Sequence, residues 1–411
     1  MTKILPFTAV RPTRDKAGLV ASRPYEDYSS EELTAQLEYN PFSFLHIINP
    51  GYKFQHSIKG DKRFQLVKNR YLEFKEDNIF IKDENPAYYI YKIISRTNTY
   101  CGIIAAASVE DYEKNIIKKH EDTLALRENL FKDYLKTVGF NTEPVLLTYP
   151  DSAAINEIIN EETKSRPEYE FSTHNKELHY LWKIDNPETI GKIEAEFNSM
   201  PQIYIADGHH RSASSHLLAS DLKADNPNHT GKESYNYFMS YLIPESELKI
   251  FEFSRLVKDL NGYSKEEFLI QLDEWFRIEN RGLEAYYPSK KHHFNMYLDG
   301  EFYSLYLRRT NYEFTDSLST LDTYILYQKL LKPILGIEDL RNDTRIAYIH
   351  GKNDLLELKS LVDSGEYAVG FGMLPLTVEE LKKVADEGLT MPPKSTYIEP
   401  KLRSGLTIYE F

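Results

Sequence analysis

Gln202-Ile203-Tyr204-Ile205-Ala206-Asp207-Gly208-His209-His210-Arg211-Ser212-Ala213-Ser214-Ser215 is the stretch around which the chain reads most clearly. Its apolar, β-prone run from Ile203 to Ala206 predicts a short buried strand. Asp207-Gly208 then breaks that strand, because glycine reaches backbone angles closed to other residues. From Ser212 to Ser220 the chain is rich in Ala, Ser and Leu without a breaker, which predicts a helix. Strand, tight turn and helix start gather backbone N–H groups, two imidazoles and a guanidinium at one place. A helix N-terminus attracts anions, and an arginine can grip phosphate oxygens with two parallel bonds. Asp-Gly turns with solvated side chains are common. Asp, Gly, His, His and Arg together at a strand-to-helix junction favour a binding site.

Whole-chain properties set the bounds. At 411 residues the chain exceeds the usual size of one domain and can bury a large core. Hydrophobic residues make up 41% and aromatic residues 13%, a globular composition. The 31 tyrosines fit a strand-rich protein. A net charge of −13 argues against a broad nucleic-acid surface but leaves room for a local anion pocket. Cys101 is the single cysteine, which excludes an intrachain disulfide framework and a cysteine zinc cluster and suits the cytoplasm. No secretory signal and no apolar run of membrane-spanning length are visible, so no membrane is expected as partner, and the acidic balance leaves no nucleic acid expected either.

In chain order, residues 1–98 predict an N-terminal α/β lobe. It holds a strand over Leu5–Val10, a helix capped at Ser29 with Glu32, and a strand over Phe44–Ile48. An amphipathic helix over Lys59–Glu76 and a hairpin-like pair, Ile79–Ile81 with Tyr88–Ile94, complete it. Residues 99–225 predict a core with an insertion at 151–202. Its elements are a strand over Tyr100–Ala107, a helix over Leu124–Val138 closed by Gly139, a strand over Pro144–Tyr149, and the Asp207 turn. Residues 226–411 predict a C-terminal α/β lobe. There Tyr235–Ile243 pairs with Leu248–Leu256, Ser264–Ile278 is a helix carrying Trp275, and Thr320–Leu335 is a long helix. A hairpin turns at Asp299-Gly300. The fold class is α+β, with mixed sheets and packed helices.

Other candidate sites are fewer. His120-Glu121 stands just before the Leu124–Val138 helix, where a glutamate can compensate the dipole or serve as a carboxylate base. The C-terminal segment carries Lys394, Lys401 and Arg403 with Ser395, Thr396 and Ser404 among prolines, a basic stretch able to close over phosphate. Lys394-Ser395 lacks the glycine-rich run of a P-loop, and Gly370-Phe371-Gly372 is too short for a dinucleotide fingerprint. His292-His293 begins a hairpin strand and reads as structural. His209-His210 has no further His or Cys at zinc-ligand spacing, so magnesium held by Asp207 or Glu121 with a nucleotide phosphate fits better.

Glu110-Asp111-Tyr112, Lys119 to Thr123, Ala206 to Arg211 and Pro393 to Tyr397, in that order, carry a resemblance over the whole length. The chain resembles a bacterial and archaeal domain-of-unknown-function family with an Ala-Asp-Gly-His-His-Arg signature. Thr99 to about Ser220 is similar to the ParB/sulfiredoxin fold, which includes the archaeal free-serine kinases. The resemblance implies a central ParB/sulfiredoxin-like core in which the turn with Gly208, His209, His210 and Arg211 holds nucleotide phosphate; Ser212 at the helix start and Lys394 of the basic tail complete the candidate phosphate set. It implies a catalytic role for Glu121 as base; Asp207, on magnesium or the acceptor amine, and the adjacent His120 complete the candidate catalytic set. The implied activity is a nucleotide-dependent small-molecule phosphotransferase, such as a kinase of free serine, using magnesium and ATP or ADP. The alternative is a ParB-like nucleotide-binding regulatory module without phosphoryl transfer. A DNA-binding protein or nuclease is disfavoured by the acidic balance, and a homodimer stays open.

Overall fold

A computed structural model describes residues 1–54, 56, 58–350 and 354–411. The chain divides into two compact units. One comprises residues 1–119, 123–248 and 400–411, the other 120–122 and 249–399. Both are mixtures of helices and sheets, so the fold is α+β.

The first unit is built on a nine-stranded mixed sheet. Its order is Ile117–Lys118, Ile203–Asp207, Val145–Tyr149, Tyr237–Pro244, Thr99–Ser108, Tyr88–Ile94, Leu178–Ile184 and Tyr169–Ser172, with Ile4–Leu5 paired beside Thr99–Ser108. Two neighbouring pairs are parallel, Ile203–Asp207 on Ile117–Lys118 and Tyr237–Pro244 on Val145–Tyr149. The central strands are apolar on both faces, as strands covered on both sides must be: every residue of Val145–Tyr149 and Tyr237–Pro244 is buried. Ile103, Leu147, Ile205 and Leu242 anchor the core together with Ile193 and Phe197 of the Pro187–Ser199 helix. The Ala125–Val138 helix lies along the His209–Asp225 helix and ends at Gly139, whose φ of 81° is the left-handed cap that the glycine announces.

The last stretch returns to this unit. Tyr409–Glu410 pairs with Phe140–Asn141, Ile408 bridges Val10, and Ser404 bridges Ser22. Leu402, Ser404, Leu406 and Ile408 are all buried, so residues 400–411 are an integral part of the fold. Glu410 fixes the end by accepting from Tyr71 Oη, Lys75 Nζ and Lys82 Nζ at 2.7, 2.7 and 2.9 Å.

The second unit holds a six-stranded antiparallel sheet in the order Phe276–Gly282, Glu301–Leu307, His293–Leu298, Val369–Met373, Phe253–Val257 and Ile346–His350. Phe268, Leu272, Phe294, Leu326 and Phe371 fill its core. Asp299 and Gly300, with φ of 51° and 80°, make the expected hairpin turn.

Several elements differ from expectation. Leu5–Val10 is two short strands, Ile4–Leu5 and Val10–Pro12, that join different partners. Leu45–Ile48 is a helical turn and not a strand; a short apolar run between Asn-Pro breaks does not distinguish the two. Ile79–Ile81 and Tyr88–Ile94 do not pair. Phe80–Lys82 joins Val10–Pro12, and Tyr88–Ile94 joins Thr99–Ser108 and Leu178–Ile184. Tyr237–Pro244 likewise ignores the strands after it, which pair within the second unit. The Lys265–Asp273 helix stops before Trp275 because Phe276–Gly282 extends to pair with Glu301–Leu307. The helix begun at Asp322 widens into a π-helical stretch at Tyr327–Leu331, next to Pro333, which has no N–H to continue a regular helix.

Candidate functional site

The Ile203–Asp207 strand delivers the turn. Ile205 faces Leu147 and Asp207 faces Leu146, so Ala206 is one residue too many for its partner strand and forms a bulge. A bulge re-aims the side chains beside it, here at the strand's last residue. Gly208 follows with φ 101°, and the helix begins at His209, three residues earlier than its Ala/Ser-rich pattern suggests. The N–H of Ser212 donates to the Gly208 carbonyl at 3.0 Å, closing the first turn. A Cβ on Gly208 would lie 3.0–3.1 Å from three atoms of the Arg211 guanidinium, so glycine is needed both for φ and for space.

That close approach exists because Arg211 folds back over the turn. Its Nη2 donates to Asp207 Oδ2 at 2.6 Å and its Nη1 to the Pro144 carbonyl at 2.8 Å. Glu143 Oε2 lies 3.8 Å from Nη1. The other oxygen of Asp207 accepts from Lys401 Nζ at 3.2 Å. Burial pushes the Asp207 carboxyl up, but Lys401 and Arg211 outweigh it and hold the group at about 2. Asp207 is therefore ionised throughout the physiological range. His209 and Ser212 are buried, and the Ser212 hydroxyl donates back to the Gly208 carbonyl at 3.2 Å, inside its own helix.

Arg211 also lines a cavity of about 350 Å³ in the first unit. Its walls include Phe131, Tyr134, Phe140 and Phe238, with Glu143 at the same surface as Arg211. The Glu143 carboxylate accepts from Ser404 Oγ at 2.8 Å, which ties this wall to the C-terminal segment.

The remaining expected site residues belong to the second unit. His120 is buried, its carbonyl accepts from the Met391 N–H at 3.0 Å, and Glu121 is exposed beside it. Asp122 accepts through its carbonyl from Arg341 and through Oδ1 from Thr390, at 3.1 and 3.2 Å. Lys394 is exposed, with its ammonium 5.1 Å from the centre of the Phe253 ring. Asp207 to Ser212 and Lys401 belong to the first unit, with Lys401 bonded to Asp207, and His120, Glu121 and Lys394 belong to the second. Glu143 and the Pro144 carbonyl are contacts that no motif marks in the sequence. Lys401 had a signal, a basic residue in a proline-flanked segment, but nothing local names its partner.

Among the described residues no group of three or more His, Cys, Asp or Glu side chains could hold a metal ion. With both oxygens of Asp207 engaged by cations, that carboxylate fits a counter-ion and not a magnesium ligand. No described helix is long and apolar enough to cross a membrane.

A family model described as a protein of unknown function, DUF1015, matches residues 4–324. The chain belongs to the DUF1015 family. No curated protein matches it. Solved structures similar to this DUF1015 chain include SbnI with a C-terminal truncation from Staphylococcus aureus, at 13% identity and a TM-score of 0.40, covering 74% of this chain and 87% of that one. A conserved hypothetical protein from Pyrococcus furiosus matches at 12% identity and a TM-score of 0.36, over 76% and 97%. A free serine kinase in complex with AMP matches at 13% identity and a TM-score of 0.35, over 76% and 94%. Likenesses of this size leave function to be argued from the site.

Proposed function

We propose that this DUF1015 protein is a nucleotide-dependent small-molecule phosphotransferase whose phosphate site is the Asp207 turn, with serine or a similar hydroxy compound as acceptor. The observation that supports it is the bulged strand, Gly208 and helix start, with Arg211 and Lys401 drawn to one ionised carboxylate. A phosphate arriving at the N-terminus of the His209–Asp225 helix meets the positive end of the helix dipole. Two cations stand beside that helix start. Arg211 carries five N–H donors, and its bonds to Asp207 and Pro144 use two of them. Phosphoryl transfer is mostly a matter of holding phosphates and orienting the acceptor hydroxyl, so a rigid phosphate cradle is its first requirement. His209, His210 and Ser212 belong to the same turn. The order of the motifs in the sequence supports Glu121 as the base.

The second reading, a ParB-like nucleotide-binding regulatory module, has one observation in its favour. Asp207 is committed to Arg211 and Lys401, so the turn supplies no carboxylate for an acceptor hydroxyl. Product analysis separates the two: incubation with ATP or ADP, magnesium and a panel of hydroxy amino acids, followed by mass spectrometry. A phosphorylated acceptor supports the kinase. Nucleotide binding without any product supports the module.

A further inference from the structure

The cavity beside Arg211 is left unexplained by a phosphate cradle. Phosphate sites are polar and shallow, whereas this cavity is walled by aromatic rings. Phe140 and Phe238 are each 1% exposed, fixed in the core, and Tyr134 meets Phe64 edge-on with ring centroids 5.3 Å apart. Phe131 stands at the rim, 41% exposed. A volume of about 350 Å³ lies at the lower end of the range for small-molecule pockets, roughly 300–1,000 Å³. A hydroxy amino acid is too small and too polar to use such walls. A planar heterocycle suits them, because its faces and edges pair with aromatic rings.

Resting on the reading of the Asp207 turn as a phosphate site, we propose that this cavity holds the aromatic base of the nucleotide. Glu26, Arg63, Asn141, Thr142, Ser214 and Ser215 also line the cavity, and of its polar residues Glu143 and Arg211 set the orientation. Glu143 is a carboxylate at a largely apolar wall, able to accept from a ring amine, as on an adenine edge. Arg211 lies on the same wall and also reaches Asp207 at the turn, so it marks the boundary between base and phosphates. One ligand would then span the cavity and the helix start, with its heterocycle between the Ala125–Val138 and His209–Asp225 helices. Specificity would follow from Glu143: a purine with an exocyclic amine is preferred over one without it.

Calorimetry on the full-length protein tests this with four probes: adenosine, purine riboside, ADP and inorganic pyrophosphate. Phe131→Ala, at an exposed rim position, is expected to weaken adenosine and ADP about tenfold or more, in line with the loss of one stacked ring, and to leave pyrophosphate unchanged. Purine riboside is expected to bind wild type more weakly than adenosine, and Glu143→Ala to remove that difference. If Phe131→Ala and Tyr134→Leu both leave adenosine and ADP affinity as in wild type, the base lies elsewhere and the proposal is wrong, although the phosphate site stands. Adenosine binding that Phe131→Ala weakens, without any binding of ADP or pyrophosphate, supports the cavity and removes the phosphate reading. Absence of binding by all four overturns both.

Discussion

Lys401 places its ammonium 3.2 Å from Oδ1 of Asp207, across 194 residues of sequence, so the strand-to-helix turn is completed by the C-terminal segment. Lys401→Met removes one of the two cations that hold the Asp207 carboxyl at about 2. That group is expected to titrate measurably higher, read by carboxyl-carbon NMR. The pair is partly exposed and screened, so stability should fall by only about 0–1 kcal/mol. An unshifted Asp207 would show that Lys401 does not govern it.

Acid stability follows from the same carboxyl. A depressed carboxyl binds its proton later in the folded state than in the unfolded chain, so its contribution is full above the ordinary value of 3.8 and is lost as pH falls through about 2. Wild type and Asp207→Asn should therefore differ in urea-unfolding stability at neutral pH, and converge across that acid window. A stability gap that stays constant down to the bottom of the window contradicts the ion-pair account.

Gly208→Ala meets two obstacles, a φ of 101° and a Cβ that would press on Arg211. A non-glycine residue held in such a region costs on the order of 1–3 kcal/mol. Thermal unfolding of the variant should report a loss of that size, whereas Gly191→Ala, in a helix with open space around it, should not destabilise.

His179 gives a second pH signature. It is 1% exposed, its ring stacks on Phe171 with centroids 5.0 Å apart, and its Nε2 accepts from Arg403 Nε at 3.2 Å. An acceptor Nε2 places the proton on Nδ1, which donates to Tyr91 Oη at 2.8 Å. Burial lowers the imidazole's proton affinity; Glu177 opposes this and Arg403 adds to it. The unfolded chain then takes up the proton first, so stability is full above 6.5 and declines as pH falls below it. His179→Gln should flatten the stability profile between roughly pH 7.5 and 5. An unchanged slope would place the titration on other groups.

Local rules carried much of the fold. Glycine at the end of the Ala125–Val138 helix, Asp299-Gly300 between two strands, and Ser29 with Glu32 at a helix start each name their own geometry, because neighbouring residues make the relevant bonds. Ile203–Asp207 and its turn were legible for the same reason. Strand partners were not: Tyr88–Ile94 turns back into Thr99–Ser108 but takes its other neighbour, Leu178–Ile184, from a distant segment, and Tyr237–Pro244 takes both of its own from far upstream; apolar strands buried on both faces carry no alternation that would fix an edge or a partner. The contacts around Arg211 failed for the same reason. Glu143 comes from the loop before Val145–Tyr149 and Lys401 from the C-terminal return, so neither meets Asp207 or Arg211 through local spacing. The Ala206 bulge, which aims Asp207, has no sequence mark at all.

For the chemical step, Glu121→Gln keeps the size of the side chain and its hydrogen-bonding reach while removing the base. If Glu121 takes the acceptor's proton, turnover should fall by about 10²–10⁴-fold with nucleotide affinity nearly unchanged. Equal turnover in the variant and wild type would remove Glu121 from the mechanism.

The central claim is that the Asp207 turn binds nucleotide phosphate. Its most direct test is calorimetric titration of ADP into wild type and Arg211→Ala in parallel, with circular dichroism to establish that the variant is folded. Saturable binding to wild type that is weakened tenfold or more in a folded Arg211→Ala, roughly the loss of one charge-assisted hydrogen bond, is the predicted result. No binding to wild type at millimolar ADP, or equal affinity in the two proteins, would contradict it.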